Sequence, residues 1–307
     1  MSNLNSFIIF FPKGAKTLSV MRDDVQGMRV SSDLNPLGIF SSGLFRDTTA
    51  LITGGGRGIG RHIALAFARL GANVVIASRK PENLNPTAEE IEATGAACLA
   101  LPTNIRDPEQ VDALVQKTLE RFGAIDLLVN NAGGQFPARP SEITDRGWRA
   151  VIDLNLNGTW NVCSRVGPLM ARRGFGAIVN IVHIYSFERG AAPFVHSGAA
   201  RAGVVNMTRS LAYYWARHGV TINALAPGFV STAGLREEEF SNAEPDDYEA
   251  RAVQDVPAGR LADPDEIAAI VLFLCSPAAR YINGATLTAD GALSLDNWTP
   301  FFDPKTL

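Results

Sequence analysis

Glycines cluster between an apolar stretch and a helical one. The run Thr53-Gly54-Gly55-Gly56-Arg57-Gly58-Ile59-Gly60 follows apolar residues 49–52 and precedes residues 61–70, whose apolar positions recur at helical spacing. Glycine lets the main chain approach a ligand closely, and a helix N-terminus offers unpaired N–H groups to an anion. Glycine also serves ordinary tight turns, but this placement between strand and helix favours a cradle for the pyrophosphate of a dinucleotide.

Basic residues follow the next predicted strand, residues 73–78. Arg79 and Lys80 stand where a carboxylate would grip the ribose hydroxyls of NAD, whereas cations suit the additional phosphate of NADP. Arg57 in the glycine run indicates the same preference. Each cation alone could be ordinary surface charge, but together they favour NADPH as the cofactor.

Asparagines stand at or near further strand ends. Asn104 ends the third predicted strand, where its amide could reach an adenine edge, and Asn131 follows the fourth. Asparagines at such places could equally be structural and link neighbouring strands. Asn155 lies in a helical stretch, where asparagine has poor propensity, so a placed side chain is indicated.

Three reactive side chains follow the fifth predicted strand. Tyr185 supplies a phenol from the loop, and Ser197 and Arg201 stand four residues apart in the next helix. That spacing puts Ser197 and Arg201 on one helix face, within reach of the same ligand. Arginine would supply a fixed cation there but not a proton.

Alternating strands and helices must position these residues. Strands are predicted over 49–52, 73–78, 97–101, 126–130, 177–181, 220–226 and 285–289, and helices over 61–70, 86–94, 108–122, 148–173, 194–217 and 264–275. The pattern predicts an α/β fold, a single-domain Rossmann-type doubly wound parallel sheet with helices on both faces. Ligands bind such sheets beyond the carboxyl ends of the strands.

Composition limits the partners. The chain has 307 residues, is 46% hydrophobic and 19% charged, and carries a net charge of −3, so no nucleic acid partner is expected. The apolar run 7–11 is too short to span a membrane. Cys98, Cys163 and Cys275 are widely spaced, which favours reduced thiols and no metal site.

The glycine run, Asn130-Asn131-Ala132-Gly133, Asn155 and Pro227-Gly228 resemble the short-chain dehydrogenase/reductase family over about residues 47–295. The resemblance implies a nicotinamide cofactor. The predicted cofactor site comprises Gly54, Arg57, Gly58, Ile59, Gly60, Arg79, Lys80, Asn104, Ile105, Asn131, Ala132, Gly133, Arg201, Pro227 and Gly228.

The chain departs from the usual catalytic pattern of that family. Members usually carry Tyr-x-x-x-Lys at the start of the sixth helix and a Ser thirteen residues before the Tyr. In this chain His196 stands at the Tyr position, Ala200 at the Lys position and His183 at the Ser position. An alcohol dehydrogenase needs a phenol whose pKa is lowered by a nearby ammonium, and Ala200 provides none. The replacements argue against the usual carbonyl–alcohol chemistry.

Ser197 with Arg201, together with Tyr185, resembles the 2,4-dienoyl-CoA and trans-2-enoyl-CoA reductases within the family. Residues 76–80, 104–106, 133–136 and 195–204 are similar to the peroxisomal trans-2-enoyl-CoA reductases, whereas the placement of Tyr185 is closer to the dienoyl branch. The resemblance implies NADPH-dependent reduction of the C=C bond of an enoyl- or dienoyl-CoA thioester. Its predicted catalytic residues are Tyr185, Ser197, Arg201 and Asn155, with Gln135 as a helper.

Several alternatives stay open. The chain could act on another carbonyl or alcohol with a rebuilt site, or bind the cofactor without catalysis. His183 and His196 are either acid–base groups or neutral hydrogen-bonding histidines, and the proton donor is Tyr185, His196 or water. The family resemblance also implies a homotetramer, built on the helices around 148–173 and 194–217.

The remaining predictions concern the chain's segments and its location. Residues 1–46 are expected to be an N-terminal extension, either disordered or an arm on a neighbouring subunit, with Met21 and Met28 as alternative starts. Residues 47–307 would be the reductase domain, with residues 230–260 as a substrate lid. The final residues Pro304-Lys305-Thr306-Leu307 differ from a Ser-Lys-Leu peroxisomal signal, so a cytoplasmic location is expected.

Overall fold

The computed structural model describes residues 35–187, 189–232 and 252–295. Most of the predicted N-terminal extension and most of the predicted lid, residues 233–251, lie outside the described residues. The candidate site residues predicted from the sequence all lie within them.

Seven parallel strands form one sheet in the order β3-β2-β1-β4-β5-β6-β7. The strands are β1 Thr49–Thr53, β2 Asn73–Ser78, β3 Cys98–Pro102, β4 Leu127–Asn130, β5 Gly176–Ile181, β6 Val220–Pro227 and β7 Thr286–Ala289. The apolar residues of β1, β2, β4, β5 and β6 are buried because helices cover both faces of the sheet, as parallel sheets require, whereas those of the edge strands β3 and β7 are only partly covered. The predicted fold class is confirmed.

Helices connect the strands. They are α1 Gly58–Arg69, α2 Pro81–Ala93, α3 Pro108–Phe122, α4 Asp145–Ile152, α5 Gly158–Arg173, α6 Val195–Trp215 and α7 Pro264–Cys275. Apolar side chains of α1, α2 and α7 form one core against the sheet, and those of α3, α5 and α6 form a second. A π-helical turn, Asp153–Asn157, joins α4 to α5.

The segment before β1 packs onto this core. Phe45 is buried, its ring meets that of Phe67 at 5.0 Å between centroids, and its N–H donates to the Leu70 carbonyl at 3.0 Å. The compact unit begins at Pro36 and therefore includes residues 36–46. Their local sequence lacks the periodicity by which the later elements were predicted.

The strand order reverses beside β1. Its neighbours are β2 on one side and β4 on the other, so the loops that leave β1 and β4 diverge at the carboxyl edge. A crevice opens at such a reversal, and in doubly wound sheets ligands bind there. The candidate site residues converge on this edge.

Candidate active site

A cleft of about 520 Å³ lies along the carboxyl edge. Most of the predicted cofactor residues line it: Gly54, Arg57, Gly58, Ile59, Arg79, Lys80, Asn104, Ile105, Asn131, Ala132, Gly133, Arg201, Pro227 and Gly228. The predicted residues Tyr185 and Gln135 line it as well, and so does His183. The structure therefore brings most of the predicted cofactor residues and two of the four predicted catalytic residues, Tyr185 and Arg201, to one cleft.

The glycine turn depends on close packing of the main chain. Gly54 and Gly58 have φ values of +66° and +51°, in the left-handed region that favours glycine. Gly60 does not line the cleft, and a Cβ there would collide with the Gly54 carbonyl oxygen and with Asn131 Nδ2. Gly60 thus lets α1 approach the turn from beneath, so that the N-terminal turn of α1 faces the cleft.

Asn131 fixes the two loops to each other. Its Nδ2 donates to the carbonyl oxygens of Thr53 and Gly54 at 3.1 and 3.2 Å. In return, the N–H groups of Asn131 and Ala132 donate to Thr53 Oγ1, both at 3.1 Å. Asn131 therefore has the structural role that the sequence had left open, and it holds the crevice at a fixed width.

The β2 side of the cleft is positively charged. Arg57, Arg79 and Lys80 line it, and no Asp or Glu appears among the described residues of the wall. A phosphate would meet cations and main-chain N–H groups there, so the residues present fit a phosphorylated dinucleotide. Asn83 and Thr232, which the sequence did not indicate, also line the cleft. Asn83 could have been found as a first-turn residue of the helix that follows Lys80.

Asn155 supports the loop after β4 from within the π-helical turn. It is buried, and its Nδ2 donates to the carbonyl oxygens of Gly134 and Val151 at 2.8 and 2.9 Å. Its Oδ1 accepts from the Gly134 N–H at 3.2 Å. The side chain does not line the cleft, so the structure gives Asn155 contacts that position the loop rather than the predicted catalytic contact.

Arg201 reaches the cleft from α6. Its guanidinium donates to the Ile181 carbonyl at the end of β5 and packs over Gly133, where any Cβ would collide with it. The predicted cation is therefore in place between the β4 and β5 loops. Because guanidinium stays charged, it adds a permanent positive charge to this part of the wall.

His183 is held by hydrogen bonds on both ring nitrogens. The Tyr185 N–H donates to Nδ1 at 3.1 Å, and Nε2 lies 3.0 Å from Gln135 Oε1. Burial, with a smaller contribution from the Arg201 charge, lowers the pKa of His183 from 6.5 to about 3. The imidazole is therefore neutral at physiological pH.

Tyr185 stands beside His183 at the cleft wall. The two rings meet edge-on at 5.1 Å between centroids, and the Tyr185 ring stacks against Phe194 at 6.5 Å with an interplanar angle of 11°. Phe194 also lines the cleft. These contacts hold the phenol at the wall, as the sequence predicted.

Ser197 lies behind His183 rather than in the cleft. It is fully buried, and its Oγ is 3.4 Å from His183 Nε2. A serine–histidine pair of this kind is not a hydrolytic one. His183 Nδ1 accepts the Tyr185 N–H, so the neutral ring carries its proton on Nε2 and cannot take one from the serine.

His196, which takes the usual tyrosine position, is sealed from the cleft. Its side chain is fully buried, its Nδ1 accepts the Ser197 N–H at 2.9 Å, and its ring meets that of Phe136 edge-on at 4.5 Å. Burial lowers its pKa below the usual value. Of the two alternatives for this histidine, the geometry favours a neutral hydrogen-bonding group.

Comparisons with known proteins identify the family. A family profile described as "Enoyl-(Acyl carrier protein) reductase" matches residues 54–294. The chain belongs to the short-chain dehydrogenase/reductase family, a family of oxidoreductases that bind a nicotinamide cofactor. Among the described residues, no helix has the length and apolar character that a membrane span needs.

Curated relatives and solved structures agree with this assignment. A probable 2,4-dienoyl-CoA reductase of Bacillus subtilis is 37% identical over 254 residues, which cover 82% of this chain and 98% of that protein. A peroxisomal 2,4-dienoyl-CoA reductase of Pongo abelii is 40% identical over 255 residues, covering 82% of this chain and 86% of that protein.

Among solved structures, a citronellol catabolism dehydrogenase of Pseudomonas aeruginosa is 39% identical with a TM-score of 0.73, covering 83% of this chain and 98% of that one. Levodione reductase is 32% identical with a TM-score of 0.78, covering 81% of this chain and 98% of that one.

Proposed function

We propose that the protein reduces the C=C bond of an enoyl- or dienoyl-CoA thioester with NADPH. The observation that carries the proposal is that a phenol, Tyr185, and a guanidinium, Arg201, line the same cleft, with Ala200 at the usual lysine position. Ala200 supplies no ammonium that would favour a phenolate. A phenol that keeps its proton suits hydrogen bonding to a substrate oxygen that gains negative charge.

The cofactor half of the cleft fits NADPH. Arg57, Arg79 and Lys80 would surround the additional phosphate, and the glycine turn and the α1 N-terminus would hold the pyrophosphate. Arg201 would contact the nicotinamide ribose. NADPH, when bound, would supply the hydride.

The chain's own side chains would stabilise the reduced substrate. Addition of hydride to a conjugated C=C bond moves electron density onto the thioester oxygen, which becomes an enolate. A hydrogen-bond donor aimed at that oxygen in a site that excludes water is worth about 3 kcal/mol. Tyr185 is the first such donor, and a proton from water or a side chain then reaches the α-carbon.

The relatives support the substrate class. The probable 2,4-dienoyl-CoA reductase of Bacillus subtilis is matched along 98% of its length. The peroxisomal 2,4-dienoyl-CoA reductase of Pongo abelii is 40% identical. A second candidate, reduction or oxidation of another carbonyl or alcohol, is favoured by the similarity to the citronellol catabolism dehydrogenase and to levodione reductase.

A substrate screen tests the proposal. We expect NADPH oxidation with 2,4-hexadienoyl-CoA or crotonyl-CoA and none with simple ketones or secondary alcohols. Turnover of ketones alone would favour the second candidate. Binding of NADPH without turnover of any substrate would favour a non-catalytic member of the family.

Two variants then test the assigned roles. Tyr185→Phe removes the donor while keeping the ring stacked on Phe194, so kcat should fall by about 100-fold while NADPH affinity changes little. Arg201→Ala should weaken NADPH binding and slow turnover together. Full activity of Tyr185→Phe would remove the phenol from the mechanism.

We also propose a homotetramer in the cytoplasm. Aromatic side chains of α5 and α6 are exposed in the single chain, with Tyr213, Tyr214 and Trp160 at 89%, 70% and 48% of full exposure. Burying such rings between subunits would be favourable. Light scattering at micromolar concentration should give four times the chain mass, and a monomer would contradict the assembly.

Imaging of the tagged full chain tests the cytoplasmic location, and co-localisation with a peroxisomal marker would contradict that location.

A further inference from the structure

His183 occupies the cleft position at which a hydroxyl donor would be expected. The histidine lines the cleft next to Tyr185, whereas Ser197, the predicted hydroxyl, is fully buried behind it. We propose that His183 Nε2–H donates a hydrogen bond to the thioester carbonyl oxygen and is, with Tyr185, the second donor to the developing enolate. This inference rests on the proposed function.

The main chain sets which nitrogen carries the proton. The Tyr185 N–H donates to His183 Nδ1 at 3.1 Å, and an N–H can donate only to a nitrogen lone pair. Nδ1 is therefore unprotonated, and the neutral ring carries its proton on Nε2. A local turn imposes this tautomer, since Ile184–Ser186 form a 3₁₀ turn that His183 caps.

A neutral ring suits this role better than a charged one. Burial of His183 and the nearby guanidinium of Arg201 both oppose protonation. Among the described residues, the phenol of Tyr185 also packs against the ring, and it carries no charge in its protonated form. His183 thus presents a donor whose charge does not change across physiological pH.

Gln135 shows that an amide carbonyl fits in front of Nε2. Its Oε1 lies 3.0 Å from Nε2, and both side chains line the cleft. A thioester carbonyl has a similar planar geometry and could take the place of this oxygen when substrate enters. The 3.4 Å contact from Nε2 to Ser197 Oγ is longer, and it comes from the buried side of the ring.

Kinetics of two substitutions test the donor. His183→Phe removes the N–H and should lower kcat for 2,4-hexadienoyl-CoA by about 100-fold with NADPH affinity within about twofold. His183→Gln keeps an N–H donor near the same place and should recover at least about tenfold of that loss. The exposed His218, in the 3₁₀ turn that follows α6, provides the matched control His218→Gln, which should behave as wild type.

Nitrogen NMR of the wild-type full chain gives a readout that needs no variant activity. Of the four histidines, the signal of His183 is assigned by its loss in His183→Gln. It should show a neutral ring protonated on Nε2 between about pH 5 and about pH 8, and hexanoyl-CoA added with NADP⁺ should shift that N–H.

The outcomes separate this inference from the proposed function. If wild type reduces the thioester but His183→Phe keeps its kcat, or the ring is protonated on Nδ1, the His183 role is wrong and the proposed function stands. If His183→Phe does not fold, the tautomer and the hexanoyl-CoA response decide. If wild type reduces no thioester, the proposed function fails and the role of His183 toward that substrate fails with it.

Discussion

The two halves of the cleft are built from different parts of the chain. On the β2 side, the wall consists largely of glycines, main-chain groups and cations that stand directly after β1 and β2. On the β5 side, it consists of side chains such as His183 and Tyr185, and their arrangement includes a partner that is far away in the sequence. Gln135, for example, is 48 positions from the histidine it contacts. The first half follows from local sequence, whereas the second exists only once the chain is folded.

The largest expected effect comes from a substitution in the β2 half of the cleft, where main-chain groups form much of the wall. Gly60→Ala would push a methyl group into the Gly54 carbonyl and Asn131 Nδ2, so the turn must shift. NADPH should bind about 100-fold more weakly, equivalent to about 2.8 kcal/mol, when titrated by fluorescence. Gly190→Ala is the matched control because no described residue lies within 4 Å of its Cβ position. Unchanged affinity in Gly60→Ala would show that the turn is not held by this packing.

A smaller effect tests the charge of the same half. Arg79→Ala removes one cation from the β2 side and should reduce an NADPH-over-NADH preference of at least about tenfold, which is about 1.4 kcal/mol. Both cofactors are titrated by calorimetry. The control is Arg172→Ala, since Arg172 is exposed at the C-terminal end of α5. Equal affinity of wild type for the two cofactors would contradict the NADPH assignment.

A third test concerns the β5 half of the cleft and its stability in acid. His183 has a pKa of about 3 in the folded chain and 6.5 as a free group, so the unfolded state binds more protons between these values. Wild type should therefore lose stability as pH falls below about 6.5, down to about 3, through this residue. His183→Gln should lose less, measured as the change in Tm from about pH 7.5 to about pH 5. An equal acid shift in both proteins would argue against a neutral, buried imidazole.

The fold could be predicted almost completely from the sequence. Strand β2 has its predicted bounds, as do α3 and α7, because apolar runs and helix caps such as Asp107 and Asp263 mark them locally. Helix α2 begins at Pro81 rather than at residue 86. Pro86 suggested a helix start, since proline is favoured in the first turn, but Pro81 occupies that first turn and Pro86 lies exposed inside the helix.

The site was predictable only in part. Tyr185 and Arg201 line the cleft as expected, because each follows or faces a strand end. Ser197 shares a helix face with Arg201, but no local pattern indicates that His183, from another element, fills the space in front of it. The tautomer of His183 could not be predicted from the sequence either, since it depends on one main-chain N–H in a 3₁₀ turn.

The π-helical turn Asp153–Asn157 has a consequence for how this site could change over time. Each residue of an α-helix advances the chain by about 100°, so removing one residue from the turn would rotate α5 relative to α4 by about that angle. Asn155 would then point away from Gly134, and Gly158, whose Cβ position lies 2.8 Å from Ile105, would leave its contact. A one-residue deletion there would disturb two loops at once, so length variation among functional descendants should be rare in this turn and common in exposed segments.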